Sequence, residues 1–389
     1  MDKTEIVIWG ASYLGLQLKK LIDLCNQNTD KNTYEVCFFC DNDETKLGST
    51  FDNIPVLSFN ELQNKSKDGS FGGIIVIAIQ NKWKGSVTKQ LRDGEIANEV
   101  YGYNEILYNN RKSSEDNFKL IDFLYKIDIT KPRLDYIEYH VAHHCNLKCK
   151  GCGHLSNVAE AEFGNLDCYI DDIKRLKELF WGIEKIRLMG GEPLLNPSLS
   201  RFIIETRKVF PDTEICIVTN GLLLRNCSKE FFKVVKDTGA IFNISLYPPT
   251  KKIKGLLELK LMEEDIAFKF TGAISEFFRN IDITGNCDVD KAYSSCVSTK
   301  CHFLLDGKLA LCPMPLIFKK LGKHLENPIP DFEEDYIDIH KTSMNGWDIV
   351  ELFSKPIKHC AYCKSYDAQM FKWEPGGSRI PQLEDWLIQ

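Results

Sequence analysis

Apolar residues along this chain follow two alternating rhythms. Short unbroken runs bounded by turn residues predict buried strands, and stretches with apolar positions three or four apart predict amphipathic helices. The segment EIVIWGASYLGLQLKKLIDL (5–24) shows both: an apolar run, a Gly turn, then a helix whose apolar positions are Leu14, Leu16, Leu18 and Leu21. YEVCFFCDND, IPVLS and GGIIVIAIQN repeat the strand pattern, with helical stretches between them, up to about residue 107. This alternation predicts a Rossmann-like parallel sheet over residues 1–110. NNRKSSEDN (109–117) then loses apolar periodicity and has the composition of a linker.

The rhythm resumes at Leu134. YIEYHVAH, IEKIRLM, EICIVT, AIFNISLY and AFKF read as strands, and YIDDIKRLKELFWGI, LSRFIIETRKVF and CSKEFFKVVKDTG as the helices between them. Parallel sheets are built this way, so the expected class is α/β, with a central unit over residues 130–284. From residue 285 the pattern breaks into short pieces punctuated by Cys, Gly and Pro, which predicts a small third unit over 285–389.

Composition narrows the picture. With 389 residues and 43% hydrophobic content, the chain is long enough for two or three cored domains. Its 49 Lys and Arg against 55 Asp and Glu leave a net charge of −6, and no basic stretch is interleaved with aromatics, so nucleic acid is not an expected partner. The opening residues lack a basic segment followed by a signal-length apolar run, and the most apolar run, GGIIVIAI (72–79), is too short to span a bilayer. The expectation is a cytoplasmic protein without a membrane span.

Fifteen cysteines remain to be explained. In a large chain of this kind, grouped at ligand-like spacings, they point to metal or cluster binding before disulfides. HHCNLKCKGCGHLS (143–156) sets Cys145, Cys149 and Cys152 as C-x3-C-x2-C directly after the first strand of the second series, where parallel sheets carry their sites. A closed zinc site or an electron-transfer 4Fe-4S cluster needs four protein ligands, so three thiolates leave one coordination position open. A zinc site completed by His143, His144 or His154, or cysteines that bind no metal, are the alternatives. The next strand ends in MGGEPLLNP, where Gly190 and Gly191 expose backbone and Glu192 supplies a carboxylate.

The C-x3-C-x2-C loop at 145–152 and Gly-Gly-Glu-Pro at 190–193 resemble the signatures of the radical S-adenosylmethionine (radical SAM) superfamily, over about residues 134–280. The resemblance implies a partial (β/α)6 barrel in which Cys145, Cys149 and Cys152 hold three irons of a 4Fe-4S cluster and S-adenosylmethionine chelates the fourth. It also places Gly190, Gly191 and Glu192 along the methionyl amine, and Thr219, Asn220, Gly221 and Ser245 at the ends of the next two strands near the ribose. Many members carry an aromatic residue just before the third cysteine; here that position is Gly151.

Further along stand Cys287, Cys296, Cys301, Cys312, Cys360 and Cys363. Cys301-x5-Gly307-x4-Cys312 followed by C-x2-C resembles the SPASM/Twitch type of extension, which implies an auxiliary iron–sulfur cluster on Cys301, Cys312, Cys360 and Cys363, with Cys287 or Cys296 able to replace one of them. A four-cysteine zinc knot stapling a small unit is the alternative. At the other end, GASYLG lacks the second Gly of a dinucleotide fingerprint but resembles the N-terminal domains of bacterial surface-glycan enzymes. That likeness implies a nucleotide-sugar or phosphate held by Gly10, Ser12, Gly15 and Asp41.

The function implied is reductive cleavage of S-adenosylmethionine to a 5′-deoxyadenosyl radical that abstracts hydrogen from a substrate. The substrate expected is a small molecule, a sugar or nucleotide-sugar, or alternatively a peptide, with flavodoxin or ferredoxin as reductant. The competing class is a non-catalytic zinc or iron–sulfur interaction protein.

Overall fold

The computed structural model describes residues 3–27, 33–110, 118–321 and 329–388; most of the linker expected at 109–117 lies outside the described residues. The chain divides into two compact units, Met1–Arg133 and Leu134–Gln389.

In the first unit the strands are β1 (Thr4–Trp9), β2 (Tyr34–Cys40), β3 (Thr50–Phe51), β4 (Ile54–Leu57), β5 (Ile74–Ile77), β6 (Val100–Tyr103) and β7 (Leu124–Ile127). The helices are α1 (Tyr13–Gln27), α2 (Phe59–Lys67), α3 (Asn81–Asp93) and α4 (Glu105–Asn110). One sheet runs β3-β4-β2-β1-β5-β6-β7, with β4 through β6 parallel and the two edge strands antiparallel. Ile6, Val7 and Ile8 are wholly buried, which is why β1 reads as an unbroken apolar run and not as an alternation. Leu18, Leu21 and Ile22 of α1 pack on Ile6, Ile8, Phe39 and Val76. Ser58 and Glu61 close a capping box at the start of α2.

The second unit opens with β8 (Arg133–Ala142), whose first residue closes the first unit, then α5 (Leu166–Leu179), β9 (Gly182–Gly190), α6 (Leu199–Val209), β10 (Glu214–Thr219), α7 (Lys229–Thr238) and β11 (Ile241–Leu246). It continues with α8 (Pro248–Lys252), α9 (Lys254–Glu263), β12 (Phe268–Ala273), β13 (Glu276–Arg279), α10 (Val289–Ser295), β14 (Phe303–Leu305), β15 (Lys308–Ala310), α11 (Met314–Leu321), β16 (Tyr336–Asp338), α12 (Gly346–Leu352) and β17 (Gln369–Lys372). Its main sheet runs β12-β11-β10-β9-β8-β14-β15-β16. Pairing is parallel from β9 to β12 and between β8 and β14, and antiparallel in β14-β15-β16. The sheet is open, with β12 and β16 at its edges. A separate ribbon pairs β13 with β17.

Strand alternation sorts this sheet into two chemistries. Tyr139, Leu188, Ile217 and Phe242 belong to the core shared with Tyr169, Ile173, Phe202, Ile203 and Val235 of the helices. Residues of the opposite parity carry charge: Arg187 Nη1 lies 3.6 Å from Glu138, and Lys185 lies 3.3 Å from Glu214. The C-terminal hairpin is tied to α5 by Asp172, whose buried carboxylate accepts the Gly307 N–H at 3.1 Å and faces His340 Nε2 at 2.7 Å. No helix among the described residues is long and apolar enough to cross a membrane.

Candidate functional site

The cysteine loop leaves β8 at Ala142 and is gripped from two directions. On the barrel side, Gly191 N–H donates to Ala142 O at 2.8 Å and Glu192 N–H to His144 O at 3.1 Å. A Cβ on Gly191 would collide with the His144 carbonyl, so the second glycine of the pair is what lets the end of β9 close on the loop. Glu192 is wholly buried. Its carboxylate accepts Thr219 Oγ1–H at 2.7 Å, Asn220 N–H at 2.8 Å and Leu194 N–H at 3.1 Å. Burial pushes its pKa up to about 7, although all three donors oppose the rise. Asn220 then reaches the loop, its Nδ2 donating to Asn146 Oδ1 at 2.6 Å and pointing at Cys145 Sγ at 3.8 Å.

On the other side, the C-terminal segment covers the loop. Lys150 N–H donates to Glu374 O at 3.1 Å, Gly376 N–H to Leu147 O at 3.3 Å, and Trp386 Nε1–H to Cys152 O at 2.8 Å. Trp373 Nε1–H donates to Cys149 Sγ at 3.1 Å. Gly151 adopts φ +61, and a Cβ there would lie 2.6 Å from the Phe371 ring and 2.8 Å from Asp385 O. The position that bears an aromatic in many radical SAM proteins is thus empty of side chain, and an aromatic from β17 packs in its place.

Burial raises the loop thiols, Cys145 to about 11 and Cys149 to about 12, and Cys152 in the same direction. Each of Cys145 and Cys149 also feels Cys152 as a like charge. Groups so shifted are neutral thiols in the metal-free chain, and ionising them needs a positive centre among them. Among the described residues no three His, Cys, Asp or Glu side chains are gathered around a single metal ion. Lys150 is paired with Glu374 at 3.8 Å, and half-buried His154 has Nδ1 2.9 Å from His140 Nε2.

A cavity of about 380 Å³ opens beside the loop. Cys152, Gly153, His154, Glu138 and Tyr247 line it together with Cys296, Cys301, Cys312, Cys360 and Cys363. Cys312 is raised by burial and then by Cys363, Cys296 and Cys360; Cys363 by burial and then by Cys360 and Cys296. Cys301, pushed up to about 11 by burial, sits beside Glu138, Arg187 and Tyr136, with Cys296 as a lesser neighbour. Cys287 lies off the cavity wall, its N–H bonded to Ala361 O at 3.0 Å. His359 also lines the cavity, buried, with no hydrogen-bond partner for Nε2 among the described residues and a pKa lowered by burial to about 4.

Ser245 ends β11 half-buried, two residues before Tyr247. Tyr247 is the residue sequence reasoning overlooked here: its ring packs on Trp373 at 5.7 Å and on Phe277 at 6.2 Å, and its hydroxyl pKa is raised by burial and by the charges of all three loop cysteines. Phe371 and Trp373, two residues apart and hence on one face of an extended segment, complete the aromatic cover. That period-two pattern in MFKWE was the available signal.

In the first unit, Gly10, Ser12 and Asp41 meet in one pocket at the carboxyl end of β1 and β2, with Tyr13, Lys46, Gln80 and Trp83 around them. Gly15 is buried beneath the turn and does not line it. Asp41 accepts Ala11 N–H at 2.9 Å and Lys46 Nζ–H at 3.0 Å.

The Radical SAM superfamily model matches residues 139–264. By sequence the chain is similar to the GTP 3′,8-cyclase of Clostridium acetobutylicum, 37% identical over 108 residues that make up 28% of this chain and 34% of the relative. It is similar also to the GTP 3′,8-cyclase of Aliarcobacter butzleri, 31% identical over 158 residues, or 40% of this chain and 46% of the relative. The chain thus spans less than half the length of these curated relatives. Among solved structures it is similar to BtrN in complex with AdoMet and 2-DOIA, with a TM-score of 0.39 and 17% identity over 60% of this chain and 94% of that one. The cysteine loop, Glu192 and the Asn220 turn all fall inside the matched residues, so the similarity to the radical SAM superfamily takes in this whole site.

Proposed function

We propose that the chain uses Cys145, Cys149 and Cys152 to hold a 4Fe-4S cluster and binds S-adenosylmethionine against it, with a second cluster on Cys296, Cys312, Cys360 and Cys363. When bound, these groups supply reductive cleavage of the sulfonium to a 5′-deoxyadenosyl radical that takes hydrogen from a substrate. The protein's own part is to hold, orient and exclude water. Gly190, Gly191, Asn220 and Ser245 edge the place for the cofactor, Glu192 fixes the strand ends around it, and the aromatics Tyr247 and Trp373 keep solvent from the loop.

The observation that carries this reading is the single cavity lined by both Cys152 and the second cysteine group. Cys296 replaces Cys301 in the second set because its neighbours are the other thiols, whereas Cys301 faces Glu138 and Arg187. A volume of about 380 Å³ lies in the range for small-molecule sites and favours a small substrate over a peptide. The reading further assigns that substrate to the sugars or nucleotide-sugars. The pocket of the first unit supports a hydroxyl-bearing ligand, because the Asp41 carboxylate already occupies the Ala11 N–H that a phosphate would need. Electrons come from a flavodoxin- or ferredoxin-type donor.

The test is anaerobic reconstitution followed by dithionite and S-adenosylmethionine. Formation of 5′-deoxyadenosine, lost in Cys149→Ala, is the expected result. A chain that takes up zinc alone and leaves the sulfonium intact refutes the reading.

A further inference from the structure

The C-terminal segment reaches back over the cysteine loop with one contact of a different kind from the rest. Glu374, Gly376 and Trp386 meet loop backbone, and Phe371 and Asp385 O fill the space above Gly151; among the hydrogen bonds of this segment's described residues, Trp373 meets a loop sulfur. Its indole is 8% exposed and is held in place on two sides. The Trp373 backbone N–H donates to Ser275 O at 2.9 Å, and the indole ring lies 5.7 Å from that of Tyr247 with 32° between their planes. The donor is therefore oriented before any cluster arrives.

Resting on the cluster assignment above, we propose that Trp373 is a positioning residue for the radical SAM cluster, whose indole N–H donates to Cys149 Sγ and raises the cluster's reduction potential. The direction follows from charge. Reduction adds an electron whose density is shared with the thiolate sulfurs, and a donor aimed at one of them stabilises the more negative state. A charge-assisted bond in a buried setting is stronger than a neutral one. The second cysteine group receives no such donor from Trp373, so the two clusters are tuned separately.

The experiment is a redox titration of the full-length, reconstituted protein followed by electron paramagnetic resonance, with the loop cluster recognised as the signal that changes on adding S-adenosylmethionine. Trp373→Phe keeps an aromatic ring and removes the donor. The expected result is a loop cluster roughly tenfold less reduced at a fixed ambient potential, about 59 mV for one electron, with the second cluster unmoved. Phe371→Leu, which alters the same strand without touching sulfur, leaves the potential where it was.

An unchanged loop potential in Trp373→Phe overturns the proposal, and so does an equal shift of both clusters, the mark of general loosening. If the variant fails to hold iron, the wild-type protein decides: with 15N-indole tryptophan, a nitrogen hyperfine coupling to the reduced loop cluster is expected, and its absence overturns the proposal. A wild-type protein with no S-adenosylmethionine-responsive cluster at all instead refutes the cluster assignment itself.

Discussion

The two cysteine groups of this chain are assembled by opposite routes, and from the loop group Cys152 lines the cavity that the second group also lines. Cys145, Cys149 and Cys152 lie within eight residues on a single loop, so local chain geometry alone brings them near each other. Cys296, Cys312, Cys360 and Cys363 come from the end of α10, the end of the β14–β15 hairpin and the turn after α12, and only the folded C-terminal part gathers them. The difference teaches that a ligand set is legible in proportion to how local it is. It also sets their vulnerabilities: the loop group depends on its own residues and its cover, the second on the integrity of several elements.

The sharpest way to break the comparison is to remove one thiolate from each group. Cys149→Ala lowers S-adenosylmethionine cleavage to background, well beyond the roughly 10–100-fold cost of losing an outer-shell partner, as measured by 5′-deoxyadenosine release. Cys296→Ala removes the second cluster and its share of the iron while the loop cluster still answers to S-adenosylmethionine; Cys301→Ala retains both. Iron analysis and absorption spectra of the two variants check this, and the opposite ranking would restore Cys301 to the ligand set.

A smaller effect concerns the cover. Gly151→Phe must bear both the left-handed backbone and the collision with Phe371 and Asp385 O, a cost of about 1–3 kcal/mol for the strain and a similar amount for overpacking. The expected result is a drop in Tm of the metal-free chain, partly recovered when Phe371→Ala opens the space. A fully additive pair would show that the ring is not what excludes a side chain there.

The smallest effect is in pH dependence. Burial raises Glu192 from its ordinary 4.5 to about 7, so between those values the folded chain binds a proton that the unfolded chain has released. Its contribution favours folding most below about 4.5, declines as pH rises through that window and levels above about 7. His359, lowered to about 4, acts in the opposite sense between 4 and 6.5, so the quantity to measure is the difference between wild type and Glu192→Gln. That difference in unfolding midpoint should vary with pH in the metal-free protein; a flat difference would mean the carboxyl is not the titrating group.

Much of the strand order was legible. The apolar runs at 5–9, 34–40 and 74–79 became β1, β2 and β5, and the five runs from 134 onward became β8 to β12, because buried parallel strands leave an unbroken apolar trace. β7 was not legible: four residues, LYKI, with no clean period and a polar stretch before them. β13 and β17, separated by about ninety residues, pair into a ribbon that no local signal announces. Glu192 was read as a cofactor partner, and the structure shows its carboxylate engaged by Thr219, Asn220 and Leu194. Gly15 was grouped with Gly10, Ser12 and Asp41, yet it lies under the turn and outside their pocket.

What the sequence by itself determined is the alternation of strand and helix, the three-thiolate loop at the carboxyl end of β8, and the glycine pair that closes β9 upon it. Each depends on residues a few positions apart, where spacing dictates geometry. Only the tertiary structure decided that Cys296 and Cys301 share a cavity with the distant thiols, that β17 supplies the aromatic cover Gly151 leaves vacant, and that Trp373 meets Cys149 across 224 residues of chain. Those contacts are settled by how separate elements pack, and packing joins side chains whose separation along the chain carries no periodic trace.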